Sequence, residues 1–173
     1  YDKELKEDSE KSLSDSNSRD PISESVRMVL ANLNFVLFEK SEKNNSKNNI
    51  ILITSSVKGE GKTVISTNLA SLLSCKNEKV LLIGADLRNP QIHKYLGMDK
   101  SVKGLSDFIY NKSDKWEDYI IKHNNLNILL SGSIPPNPTD LLSSNRFKNF
   151  LLNVREIYDY VVIDSAPCLL VSD

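Results

Sequence analysis

Apolar residues follow two rhythms along this chain. Ile22, Val26, Val29, Leu30, Leu33, Val36 and Leu37 recur every three or four residues, which predicts an amphipathic helix from near Pro21 to near Lys40. Ile50 to Thr54, Val80 to Ile83, Leu126 to Leu130 and Tyr160 to Ile163 are unbroken apolar runs, the pattern of strands buried on both faces. Helical stretches separate them. Val64, Ile65, Leu69, Leu72 and Leu73 follow the first run, and shorter helices are predicted over Pro90 to Leu96 and Gly104 to Ile121. A further helix opens at Asn137-Pro138-Thr139-Asp140, with Asn137 as cap and Pro138 at the first helical position, and continues through Leu141, Leu142, Phe147, Phe150, Leu151 and Val154. Strands alternating with helices predict an α/β fold: a doubly wound, mainly parallel sheet with helices on both faces.

The polar stretches divide the chain. Residues 1–20 are rich in Lys, Glu, Asp and Ser with almost nothing to bury, which predicts a flexible charged linker; residues 21–173 are expected to form one domain, with Ser41 to Asn49 as a loop. A net charge of −1 implies no bulk attraction to nucleic acid, so no nucleic-acid partner is expected. No apolar run approaches the roughly 20 residues that cross a bilayer, so the chain as given is expected to be soluble. Cys75 and Cys168 lack metal-ligand spacing, suit a reducing cytoplasm and are expected as buried apolar filler. Trp116 is expected in the core or an interface, and His123 at the surface.

Chemistry enters after the first strand. Ser56-Val57-Lys58-Gly59-Glu60-Gly61-Lys62-Thr63 matches the phosphate-loop pattern except that Ser56 holds the first glycine position. Glycines bring backbone N–H groups close to phosphate oxygens, and the helix beginning near Gly61 points its positive end at the same place. Val57, Lys58, Gly59, Glu60, Gly61, Lys62, Thr63 and Val64 are therefore the expected nucleotide-binding residues, with Lys62 reaching the β- and γ-phosphates and the Thr63 hydroxyl on Mg²⁺. This makes the fold P-loop NTPase-type. Ligands in such sheets gather at the carboxyl ends of strands, and Asp86 and Asp164 each stand just past an apolar run. Together with Thr63 they are the expected metal shell, and with Lys62 the expected catalytic set; either could instead cap the next helix.

Four segments taken together carry a family resemblance. Ser55 to Thr63, Asp86-Leu87-Arg88-Asn89-Pro90-Gln91-Ile92-His93, Gly132-Ser133-Ile134-Pro135-Pro136-Asn137-Pro138-Thr139-Asp140-Leu141-Leu142, and Ile163-Asp164-Ser165-Ala166-Pro167 resemble the bacterial tyrosine kinases of exopolysaccharide and capsule biosynthesis. The Pro-rich segment discriminates most, since phosphate loops are shared by many ATPases and GTPases. The resemblance implies transfer of the ATP γ-phosphoryl to tyrosines, chiefly on neighbouring copies, with ATP and Mg²⁺ required and with Asp86 or Asp164 taking the phenolic proton. It also implies a ring-like homo-oligomer, a membrane polysaccharide chain-length regulator or a fused N-terminal region as activating partner, a cognate tyrosine phosphatase, and a place on the cytoplasmic face of the bacterial inner membrane. A further strand, helices and a tyrosine-rich tail are implied beyond Asp173. Two positions depart from the family. Gly84 stands where a second aspartate is usual, and in the self-association motif Glu24 and Arg27 match while Leu30 replaces an arginine.

Two rival functions remain open on sequence. A chromosome- or septum-positioning ATPase switch shares the fold, but its signature lysine falls at Val57, with Lys58 one place away. A degenerate nucleotide-binding module of an export complex would suit Gly84 and Leu30.

Overall fold

The four apolar runs become parallel strands of one sheet. The structure is a computed structural model that describes residues 24–33, 50–76, 78–123 and 126–169. Helix α1 spans 24–33, strand β1 Ile50–Ile53, helix α2 Lys62–Ser74, strand β2 Val80–Gly84, and the short helices α3 and α4 Ile92–Tyr95 and Leu105–Tyr110. A 3-10 turn at Trp116–Tyr119, strands β3 (Ile121–His123) and β4 (Leu126–Leu129), helices α5 (Pro138–Ser143) and α6 (Asn145–Ile157), and strand β5 (Tyr160–Asp164) complete it. Strand order is β1-β5-β2-β4-β3, parallel throughout except for the antiparallel β3–β4 pair. The expected linker over residues 1–20 and the expected helical positions Ile22, Val36 and Leu37 lie outside the described residues.

Alternating side chains on the central strands feed two cores. Leu81, Ile83, Leu129, Val161 and Ile163 face one way and pack with Phe108, Phe147, Phe150 and Val154 of α4 and α6. Leu82, Ile128 and Val162 face the other way and pack with Leu69 and Leu73 of α2, Ile92 of α3, and Val26 and Leu30 of α1. β2 is buried along its whole length, as a central parallel strand should be. β1 is not. It lies at the edge of the described sheet, with Leu52 62% exposed, so the expectation of a fully buried first strand is corrected.

Three local differences have physical causes. The helix expected over Gly104 to Ile121 stops at Tyr110, because the Arg146 guanidinium takes the carbonyls of Phe108, Asn111, Lys112 and Asp114 at 2.7–3.0 Å and stacks on the Phe108 ring. The chain then turns into the unforeseen edge strand β3. The helix expected from Asn137 breaks at Ser144, which is extended and accepts the Phe147 N–H on its hydroxyl, starting α6 afresh. Asn137 holds the cap position of α5, yet its amide oxygen accepts from the Tyr110 hydroxyl and its nitrogen donates to Asp140. Trp116 packs on the core against Phe150 and Tyr158, as expected. Cys75 and Cys168 are exposed rather than buried.

The self-association positions fall on α1. Glu24 and Arg27 pair with each other one turn apart. Leu30 is only 5% exposed and belongs to the second core. Burying a leucine contributes about 1.5–3 kcal/mol, so this position serves packing within the chain.

Candidate functional site

The end of β1, the end of β5 and the end of β2 lie side by side, and the phosphate loop, Asp86 and Asp164 gather there. After Ile53 the backbone leaves the sheet and turns through Gly59 (φ 93°) and Gly61 (φ 87°) into α2. Both glycines are in the left-handed region that a side chain disfavours, although open space surrounds them; conformation and not crowding requires glycine here. Gly61 is the N-cap and no side chain caps α2. The first-turn N–H groups of Lys62, Thr63 and Val64 have no place in the helix's own ladder, which starts with Ile65 donating to the Gly61 carbonyl. Such a terminus suits an anion.

The segment after β5 walls the loop. Ser165, Cys168 and Leu169 donate their N–H groups to the carbonyls of Ile53, Ser55 and Ser56 at 3.0, 2.9 and 3.3 Å. On the opposite side Glu60 folds back, its Oε2 accepting the N–H groups of Ser56 and Val57 at 2.8 and 3.1 Å. Sequence reading placed Glu60 in the loop without this contact.

Behind the loop the two acids take different partners. Lys62 Nζ is 3.0 Å from Asp86 Oδ2, with the two side chains 7% and 4% exposed. The other Asp86 oxygen accepts the Asn89 N–H at 2.9 Å, so it does cap the following turn while pairing with lysine. Asp164 is 1% exposed, and its Oδ2 accepts from the Thr63 hydroxyl at 2.9 Å. Its Oδ1 is buried with no hydrogen-bond partner. Burial pushes the Asp164 carboxyl up to about 6, with the Asp86 charge adding to the rise; the Thr63 hydroxyl, the Lys62 charge and the nearby Ser66 hydroxyl, which itself donates to the Thr63 carbonyl, oppose it. The Asp164 carbonyl accepts from the N–H groups of Ala85 and Asp86, which locks the two strand ends together.

A buried carboxylate oxygen without a donor, beside a threonine hydroxyl at a helix start, fits a hard divalent cation. Among the described residues no group of three or more His, Cys, Asp or Glu could hold a metal by itself. Two oxygen ligands suit magnesium, which keeps waters and shares its shell with substrate phosphates. The Pro-rich segment reaches the site through Arg88, whose Nη2 donates to Thr139 Oγ1 at 3.3 Å. Asp107 holds the start of that segment, accepting from Gly104 N and Ser133 N, a contact sequence reading also missed. Glu24 and Arg27 lie on α1, where they pair with each other.

These features define the class, a P-loop nucleotide-binding domain. The family described as AAA domain matches residues 48–172. The tyrosine-protein kinase YwqD of Bacillus subtilis is 37% identical over 153 residues, covering 87% of this chain and 61% of that protein. The solved kinase domain of the Escherichia coli tyrosine kinase Etk superposes with a TM-score of 0.80 at 32% identity, covering 90% of this chain and 59% of that one. The septum site-determining protein MinD of Pyrococcus horikoshii, solved with Mg-ADP, is a more distant neighbour at TM-score 0.57 and 28% identity, covering 67% of this chain and 48% of that one. The chain belongs to this AAA domain family, and the proteins it is similar to include bacterial tyrosine-protein kinases. It spans about a fifth to three-fifths of the curated relatives it matches. Among the described residues no helix is long and apolar enough to cross a membrane.

Proposed function

We propose that this chain carries the catalytic site of an ATP- and Mg²⁺-dependent protein-tyrosine kinase that phosphorylates copies of itself and thereby regulates exopolysaccharide or capsule polymerisation and export. The observation that carries the reading is the buried Thr63–Asp164 pair with one unpartnered carboxylate oxygen, next to Lys62 at the mouth of a phosphate loop. The amides of the loop and of the first turn of α2 cradle the triphosphate, and Lys62 leaves Asp86 to neutralise the β- and γ-oxygens. Thr63 and Asp164 would hold the magnesium, which when bound would supply charge neutralisation for the transferring phosphoryl group. Departure of Lys62 frees Asp86 Oδ2, which accepts the phenolic proton as the tyrosine oxygen bonds to phosphorus and the bond to the bridging oxygen breaks, releasing ADP.

The partners follow the same reading: a membrane polysaccharide chain-length regulator or fused N-terminal region, a cognate tyrosine phosphatase, and a homo-oligomer on the cytoplasmic face of the inner membrane. Leu30 is buried in the core, while Glu24 and Arg27 pair with each other on the same helix.

Incubating the full-length protein with γ-labelled ATP, Mg²⁺ and a tyrosine-bearing, Lys62-substituted copy tests the proposal. Label on tyrosine supports it. Release of inorganic phosphate alone would identify an ATPase switch, and neither product would leave a nucleotide-binding regulatory module.

A further inference from the structure

Phosphate loops are usually described by the groups they offer the ligand, but a loop must also hold its shape before the ligand arrives. Here the entry to the loop, Ser55 to Val57, has left the sheet: β1 ends at Ile53, and no strand among the described residues takes the N–H groups of Ser56 and Val57. The Ser55 and Ser56 carbonyls accept the Cys168 and Leu169 N–H groups, and the Val57 carbonyl accepts the Ser55 hydroxyl. The Ser56 and Val57 N–H groups are fixed by one atom, Glu60 Oε2, at 2.8 and 3.1 Å. Glu60 lies between the two left-handed glycines, at the point where the chain reverses into α2. One carboxylate oxygen therefore ties the way in to the way out.

A carboxylate is an unexpected choice beside a site for a polyanion. Its charge repels a triphosphate, so it is tolerable only if it contributes something a neutral loop lacks. Charge-assisted bonds to two amides are stronger than neutral ones, and they take the two donors furthest from α2 while leaving the amides from Gly61 onward for phosphate.

We propose that Glu60 is a positioning residue that braces the phosphate loop in its ligand-ready shape by holding the Ser56 and Val57 amides, an inference that rests on the nucleotide-site reading above. Glu60 touches no reacting atom. Its contribution is preorganisation: without the brace, binding must order the loop, and affinity falls.

The test compares the full-length parent with Glu60→Ala and Glu60→Gln. The glutamine carbonyl can still accept from both amides, whereas alanine offers nothing. Amide hydrogen exchange on the nucleotide-free protein is expected to quicken at Ser56 and Val57 in E60A and to stay near the parent rate in E60Q. Titration with a non-hydrolysable ATP analogue and Mg²⁺ is expected to show Kd raised about tenfold in E60A and by less than about threefold in E60Q, and in turnover KM for ATP rises more than kcat falls. Unchanged exchange at both amides in E60A overturns the brace. So does tighter binding by E60A, which would make the carboxylate a plug, or a Kd in E60Q raised as far as in E60A while its Ser56 and Val57 amides still exchange at the parent rate, which would place the weakening elsewhere than in the brace. A parent that binds no analogue defeats the nucleotide-site reading, while the exchange comparison still decides the brace.

Discussion

The ends of β2 and β5 obey one rule and reach opposite states. Each strand delivers an aspartate to the same polar corner, and the two are joined by backbone bonds from Ala85 and Asp86 to the Asp164 carbonyl. Asp86 is saturated: one oxygen on Lys62, the other on the Asn89 amide. Asp164 is half satisfied, with Thr63 on one oxygen and nothing on the other. A buried charge that already has its cation contributes to the resting fold. One with an oxygen left without a hydrogen-bond partner costs stability, which is the price expected of an acid that serves the proposed metal site.

Lys62→Met breaks the contrast most severely. Removing the lysine takes the cation from Asp86 and also the attraction that opposes the rise at Asp164, leaving two buried acids short of partners. Tyrosine phosphorylation is expected to fall at least a thousandfold, and the unpaired Asp86 to cost about 3–5 kcal/mol in denaturant titration. The double variant Lys62→Met/Asp86→Asn is expected to recover most of that stability and none of the activity. A single variant as stable as the parent would show that Asp86 finds another partner.

Asp164→Asn tests the other half. Because burial raises this carboxyl from 3.8 to about 6, the folded chain binds the proton more tightly than the unfolded one. Stability from this group therefore declines as pH rises from about 4 to about 6, and the full penalty, at most about 3 kcal/mol, stands at pH 7. The amide has no charge to desolvate. Without nucleotide, D164N is expected to be about 1–3 kcal/mol more stable at pH 7 and to lose that advantage near pH 4. Mg²⁺-dependent turnover is expected to fall about 10- to 100-fold, more than nucleotide binding does. Melting curves at the two pH values check the first claim, and a parent that gains no stability on acidification from 7 toward 5 would refute it.

Much of this corner is legible in the residues. Apolar runs that end in Asp86 and Asp164 announce strands and put acids at their carboxyl ends, and Gly59, Gly61, Lys62 and Thr63 announce the loop. What a sequence pattern lacks is the partner. That Lys62 turns to Asp86, that Glu60 folds back on Ser56 and Val57, and that Arg146 ends a helix 36 residues earlier at Tyr110 all depend on contacts between segments remote in sequence or on a side chain's choice of rotamer. Leu30 was legible as an apolar position on the helix face and also as a departure from an assembly motif. The core settles which description governs its side chain.

Gly84 gives the smallest effect and the sharpest comparison. It is the register partner of Asp164, so β2 carries nothing at the level where β5 carries its acid. The reason is spatial. A Cβ built there would stand 2.6 Å from Ser131 Oγ, 3.0 Å from Ser131 N and 3.3 Å from Ile92 Cδ1. The hydroxyl can rotate away; the backbone nitrogen belongs to the chain leaving β4 and moves only with it. Gly84→Ala is therefore expected to cost about 1–2 kcal/mol, measured by denaturant titration, through overpacking alone. Gly84→Asp adds a carboxylate beside the already under-partnered Asp164 and is expected to cost more, with no gain in Mg²⁺-dependent turnover. If G84A matched the parent in stability, the end of β4 would have room to give, and the missing second acid would be a matter of charge alone and not of space.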